Sequence, residues 1–300
     1  MVYIGIDLGT TYSCVSIIED GKPVAIISED GKPTIPSVVA YCEPEILVGN
    51  PGLMCNTDVT NILYDSKRLI GWKFLHDLPN AESRQLWTFN VDTRNSKAGY
   101  VLSKGTAKEK FLKPEEISAK ILKKLKANVE KYLSTKVTGA VVAVPALFQE
   151  NQIVATKRAV ELAGLELKYL LEEPISAAIA YNHKKKFENS KILIFDFGGG
   201  TLDISIAEIK GKNLEVKAVD GDTQLGPDPP EWRNDASVAY FKDKLYYLGG
   251  YDFETWKNTN LADLSMDGIV ETYFYYQTMN GNGLKSERFQ KDDTFSELYH

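Results

Sequence analysis

Several things are scarce in this 300-residue chain, and each scarcity excludes something. No apolar run approaches the roughly 20 residues that span a bilayer. Met1 is followed at once by Val-Tyr-Ile-Gly-Ile-Asp, with no basic start and no cleavage site of secretory type, so the sequence is expected to carry no membrane segment and no leader. There are three cysteines, Cys14, Cys42 and Cys55, an odd number without zinc spacing. They read as ordinary, partly buried thiols in a reducing, cytoplasmic setting. Basic excess is also missing: 35 Lys and Arg stand against 41 Asp and Glu, a net charge of −6, which makes nucleic acid a poor partner.

What is present is unevenly spread. Residues 227–300 hold 13 acids and 7 bases, whereas residues 1–226 hold 28 of each. The last 74 residues contain 15 aromatics and the first 226 only 17. The change falls at Gly226-Pro227-Asp228-Pro229-Pro230, a run that breaks helices and strands alike. The expected organisation is therefore one segment over 1–226 and a second, aromatic and acidic one over 227–300.

The first segment repeats itself. Ile4-Gly5-Ile6-Asp7-Leu8-Gly9-Thr10-Thr11 is echoed by Leu193-Ile194-Phe195-Asp196-Phe197-Gly198-Gly199-Gly200-Thr201. Each copy predicts strand, Asp, Gly/Thr turn, strand, polar Gly turn and a third strand, Val24–Ser28 in one and Leu214–Val219 in the other. Glycine admits a phosphate close to the backbone, and the turn presents N–H groups and a hydroxyl. Two such turns can grip a polyphosphate, with Asp7 and Asp196 holding a bound Mg²⁺ through its waters. Between the copies, apolar residues Ile117, Ile121, Leu125, Val129 and Leu133 follow Pro114 at helical spacing. A buried-type strand over Ala140–Val144, a helix over about 150–163 and another from Pro174 come next. Alternating strands and helices argue for an α/β fold.

These residues resemble a known family. Ile6-Asp7-Leu8-Gly9-Thr10-Thr11-Tyr12-Ser13-Cys14-Val15 is similar to the opening signature of the seventy-kilodalton heat-shock-protein (DnaK-type) chaperones, and Phe195–Ser205 to their second signature. Ser66-Lys67-Arg68-Leu69-Ile70-Gly71, Val144-Pro145-Ala146, Glu173-Pro174 with Ala177–Tyr181, and Gly221–Gly226 follow in family order. The resemblance implies an actin-like, ribonuclease-H-like nucleotide-binding fold, with ATP or ADP and Mg²⁺ as cofactors. It implies slow ATP hydrolysis coupled to protein folding, and unfolded proteins, co-chaperones and nucleotide-exchange factors as partners. Carried over by position, Gly9, Thr10, Thr11 and Tyr12 would line one phosphate loop. Gly198, Gly199, Gly200 and Thr201 would line the other, with Thr201 counted among the catalytic groups. Asp7 and Asp196 would organise Mg²⁺ through water. Lys67 would place the attacking water and offset γ-phosphate charge, and Glu173 and Asp196 would orient that water. Such roles suit phosphoryl transfer, in which positioning and charge neutralisation carry most of the catalysis.

The chain also departs from the family pattern. Ile153 stands where an arginine linked to domain coupling is usual, and Trp72 replaces a common basic residue. Beyond 226 the family continuation is not visible. The sequence thus predicts an incomplete second lobe with an unpaired sheet edge, no peptide-binding domain and impaired activity. Residues 238–252 show a weak kelch-type likeness around Gly249-Gly250, and Tyr273-Phe274-Tyr275-Tyr276 is a further strand candidate. The alternatives are a truncated or fused, non-enzymatic product with a kelch-like interaction segment, and a sugar kinase or actin relative.

Overall fold

A computed structural model describes residues 1–74, 87–185, 189–197, 202–211 and 213–222, and beyond them the backbone of six short strands between 233 and 289. The chain divides into two compact units, Met1–Glu173 and Pro174–His300.

The first unit opens with a three-strand meander: β1 (Val2–Leu8), β2 (Tyr12–Glu19) and β3 (Lys22–Ala25). Two short turns drive it, the Gly9–Thr11 tip and the Asp20-Gly21 pair, whose φ values are both positive. β4 (Thr34–Pro36) adds to β2. A small sheet follows from β5 (Val39–Cys42), β6 (Glu45–Val48) and β7 (Ile62–Leu63), with the short helix α1 (Asn50–Leu53) between the last two. The one-turn helix α2 (Ser66–Leu69) leads on to β8 (Asn90–Arg94), β9 (Lys97–Leu102) and β10 (Lys110–Leu112), a three-stranded antiparallel sheet. Helix α3 (Pro114–Leu133), strand β11 (Val137–Val144), helix α4 (Glu150–Leu162) and strand β12 (Glu166–Glu172) complete the unit.

The main sheet runs in the order β12-β11-β1-β2-β3. β1, β11 and β12 are parallel, while β2 and β3 return antiparallel. This mixed sheet agrees with the α/β, ribonuclease-H-like fold that the resemblance implies. It has a direct consequence for the site, because the carboxyl ends of β1, β11 and β12 lie along one edge of the sheet. Ligands of open α/β sheets bind at such an edge. Alternation buries Ile4, Ile6 and Leu8 of β1, and α3 contributes Ile117, Ile121, Leu122, Leu125 and Val129 to the same core. Each such side chain contributes about 1.5–3 kcal/mol by leaving water. Among the described residues, no helix is long and apolar enough to cross a membrane.

The second unit begins with α5 (Glu173–Lys185), apart from its first residue, and repeats the meander as β13 (Ser190–Phe197), β14 (Leu202–Lys210) and β15 (Asn213–Asp222). Ala178 packs with Ile192, Ile194, Ala207 and Ile209 in a small core. The aromatic tail supplies β16 (Arg233–Asn234), β17 (Ser237–Phe241), β18 (Lys244–Leu248), β19 (Tyr251–Asp252), β20 (Glu271–Tyr276) and β21 (Lys285–Phe289). β20 pairs in parallel with β13, giving the order β15-β14-β13-β20-β21. The sheet edge expected to be unpaired, because no family continuation is visible beyond 226, is therefore covered by a strand of the tail. β13 carries the same neighbours as β1, a parallel strand on one side and an antiparallel meander on the other.

One expectation about cysteine needs correcting. Cys42 and Cys55 are paired in a disulfide with Cα atoms 6.9 Å apart, and only Cys14 is free. An odd count without zinc spacing could not foresee that α1 turns the chain back so that Cys55 meets the end of β5. The separation lies just beyond the usual range for disulfides, about 4.4–6.8 Å.

Candidate functional site

Asp7 is next to last in β1 and lies across from Ala143 of β11 and Cys14 of β2. The turn that follows is tight. A Cβ placed on Gly9 would sit 2.1 Å from the carbonyl oxygen of Tyr12, so no other residue fits without reshaping the hairpin. Thr10, Thr11 and Tyr12 are half-buried around this turn. The tip is therefore open enough to be reached and too crowded for side chains at Gly9, the conditions under which backbone N–H groups can meet an anion.

Lys67 arrives from α2. Asp65, the residue before that helix, takes a left-handed conformation, φ 55° and ψ 28°, which turns the chain sharply. Its carboxylate accepts a hydrogen bond from Trp87 Nε1 at 3.0 Å and lies 3.6 Å from Arg68 Nε. Burial raises the Asp65 pKa above the usual carboxylate value, against the pull of Arg68 and the Trp87 bond. Downstream, Gly71 has φ +80° and a Cβ there would come within 2.6 Å of Gln152 Cα, so glycine is required where α2 abuts the start of α4.

Glu173 follows the carboxyl end of β12 directly and opens α5. Lys67 Nζ donates to Glu173 Oε1 at 2.6 Å, and both side chains are about 12% exposed. A charge-assisted bond of this length in a partly dry setting holds both groups in place. Asp7 completes the group. Its side chain is reachable by solvent, yet surrounding protein and the charge of Glu173 push its carboxyl up to about 6, while Lys67 pulls it down. Burial and the same carboxylate push the Cys14 thiol up to about 12, so Cys14 stays protonated. Lys67 also lines a cavity of about 10 Å³, room for about one water, together with Leu8, Ser118, Val144 and Thr156. Pro145 is buried just past the end of β11, on the same carboxyl edge.

These residues fit a hydrated divalent cation and a polyphosphate. Asp7 and Glu173 both offer hard carboxylate oxygens, and the Lys67 ammonium bonds Glu173 and acts electrostatically on Asp7. Among the described residues no three His, Cys, Asp or Glu side chains form a direct metal cage. Mg²⁺ suits such a site, because it keeps several waters and takes few protein ligands.

In the second unit the hairpin register places Asp196 opposite Asp203. Asp196 is half-buried and Asp203 is 2% exposed. Asp203 escaped the sequence reading, although a signal existed: it follows Asp196 by seven residues, as Cys14 follows Asp7. Gly198, Gly199, Gly200 and Thr201 lie outside the described residues. The two departures from the expected pattern are half-buried. Ile153 sits on α4, and Trp72 packs on the core while its carbonyl accepts the Ala98 N–H at 3.1 Å.

The comparison with known proteins decides the family. The family model described as Hsp70 protein matches residues 3–247. The chain belongs to the Hsp70 family. A heat shock cognate HSP70 protein of Trypanosoma brucei brucei is 42% identical over 226 residues, covering 74% of this chain and 33% of that protein. Chaperone protein DnaK of Carsonella ruddii (strain PV) is 43% identical over 229 residues, 74% of this chain and 37% of that protein. The chain thus spans about a third of the length of these Hsp70 relatives. Its architecture is that of the Hsp70 nucleotide-binding domain, an actin-like ATPase fold of mixed α/β content. The Hsp70 match runs past 226 and into the stretch 238–252, so the kelch-like alternative finds no support.

Proposed function

We propose that this Hsp70 chain binds ATP or ADP with Mg²⁺ and hydrolyses ATP slowly, as a DnaK-type chaperone segment. The observation that carries the reading is the Lys67–Glu173 ion pair beside Asp7, at the carboxyl edge of the sheet and next to the Gly9 turn. Residues 106 positions apart meet at 2.6 Å, and no packing need explains two carboxylates and an ammonium in one half-dry cluster. In this reading the Gly9–Tyr12 turn receives phosphate oxygens, and Asp7 would help hold Mg²⁺ through its waters. Lys67 offsets charge that builds on the γ-phosphate, and Glu173 orients both Lys67 and the attacking water. Mg²⁺, when bound, neutralises phosphate charge. The roles of Asp196, Gly198, Gly199, Gly200 and Thr201 toward the phosphates rest on the sequence repeat. Asp203 joins them as a buried carboxylate facing Asp196.

Unfolded proteins, co-chaperones and nucleotide-exchange factors are the proposed partners of the longer family architecture. A cytoplasmic setting is proposed as well. The test of catalysis is single-turnover hydrolysis by Lys67→Ala. We expect loss of turnover, by about a hundredfold or more, with an unchanged circular dichroism spectrum. Equal turnover in that variant would overturn the assigned role.

A further inference from the structure

Ser37 joins β4 to β5 and is 2% exposed. Three hydrogen bonds converge on it. Its backbone N–H donates to the Thr11 carbonyl at 2.8 Å, and its Oγ donates to the Gly9 carbonyl at 2.7 Å. Its Oγ also lies 2.8 Å from Ser13 Oγ, itself 1% exposed. A serine hydroxyl has one proton. Ser37 spends that proton on Gly9, so Ser13 is the donor in the serine pair. The result is a directed chain, from Ser13 to Ser37 to the Gly9 carbonyl, buried beneath the turn.

The consequence follows from peptide geometry. In a planar trans peptide the N–H points opposite to the carbonyl before it. Anchoring the Gly9 and Thr11 carbonyls on Ser37 therefore aims the N–H groups of Thr10 and Tyr12 away from the buried serine. Gly9, which tolerates no Cβ beside the Tyr12 carbonyl, leaves the turn free to take that shape. We propose that Ser37, seconded by Ser13, is a positioning residue that presets the backbone donors of the first phosphate turn. The inference rests on the polyphosphate reading above. It adds a cause for the turn's orientation that lies outside the repeated motif, 28 residues downstream of Gly9.

Two measurements on the full chain separate this idea from that reading. The first is calorimetric titration with Mg²⁺–tripolyphosphate and with adenosine. Ser37→Ala should weaken tripolyphosphate binding about tenfold, the worth of a hydrogen bond or two, and leave any adenosine affinity unchanged. Ser37→Thr, which keeps the hydroxyl, should recover most of the loss, and the near-isosteric Ser37→Cys, a weak donor, should fall between. The second is the heteronuclear NOE of the Thr10 and Tyr12 amides in nucleotide-free protein, which reports motion on the picosecond–nanosecond scale. Ser37→Ala should lower it at those two residues and not in β11. Equal losses for tripolyphosphate and adenosine would overturn the proposal, as would unchanged NOE values. If the wild-type chain bound no tripolyphosphate, the polyphosphate reading would fall, and the NOE arm would still decide whether Ser37 braces the turn.

Discussion

Asp7 shows how one side chain's surroundings set its chemistry. Crowding and Glu173 raise its carboxyl from 3.8 to about 6, and Lys67 works against them. The folded-state pKa is raised, so folding favours the protonated form. Ionised Asp7 costs the nucleotide-free protein stability above about pH 6, and the cost disappears as pH falls toward the unfolded value. Asp7→Asn should therefore flatten the pH dependence of denaturant unfolding between about pH 4 and 7. An unaltered slope would show that Asp7 does not titrate as described. Lys67→Ala should move the Asp7 titration higher still, because the one favourable charge is gone, and carbon-13 carboxyl shifts would record it. Cysteine chemistry is decided at this scale too. Thiol counting on denatured protein purified without reductant should find a single free thiol, Cys14, whereas three would show that Cys42 and Cys55 are not bonded in the native protein.

Much of this residue-level detail was legible in the sequence, but not all of it. Asp7, Lys67 and Glu173 announced themselves through motif context, and their meeting in one cluster did not. The pairing depends on where α2 and β12 end, which no short motif encodes. Ser37 gave no signal, since its value lies in a turn far from it in sequence. Asp203 was hidden because a strand residue of the right parity reads as core.

Among the elements, α3 was the easiest to foresee. Pro114 suits the first turn, and the apolar spacing from Ile117 to Leu133 yields Pro114–Leu133 in the structure. Ile121 is fully buried, so Ile121→Ala should cost about 2–5 kcal/mol in a chemical denaturation curve. A loss under about 1 kcal/mol would mean that α3 is not the pillar of this core. The strand order was less legible than the strands, because parallel neighbours such as β1 and β11 are joined by long connections. Gly71 connects the two levels. Its positive φ and its approach to α4 make Gly71→Ala a predicted loss of more than about 2 kcal/mol, with Lys67 displaced as a result.

At the scale of the whole molecule, the contrast between a neutral first segment and an acidic, aromatic last one is real in composition. The pairing of β20 with β13 gives that tail a structural task. We predict that a chain ending at 226 exposes the β13 edge and associates, seen as higher mass in light scattering, while the full chain does not. Equal behaviour of the two would remove β20 from the sheet's account. The central claim concerns the chain as a ligand-binding protein, and one titration addresses it. Isothermal calorimetry of the full chain with ATP should give saturable binding that strengthens when Mg²⁺ is added and weakens in Asp7→Asn. No heat of binding at millimolar ATP, with or without Mg²⁺, would contradict it.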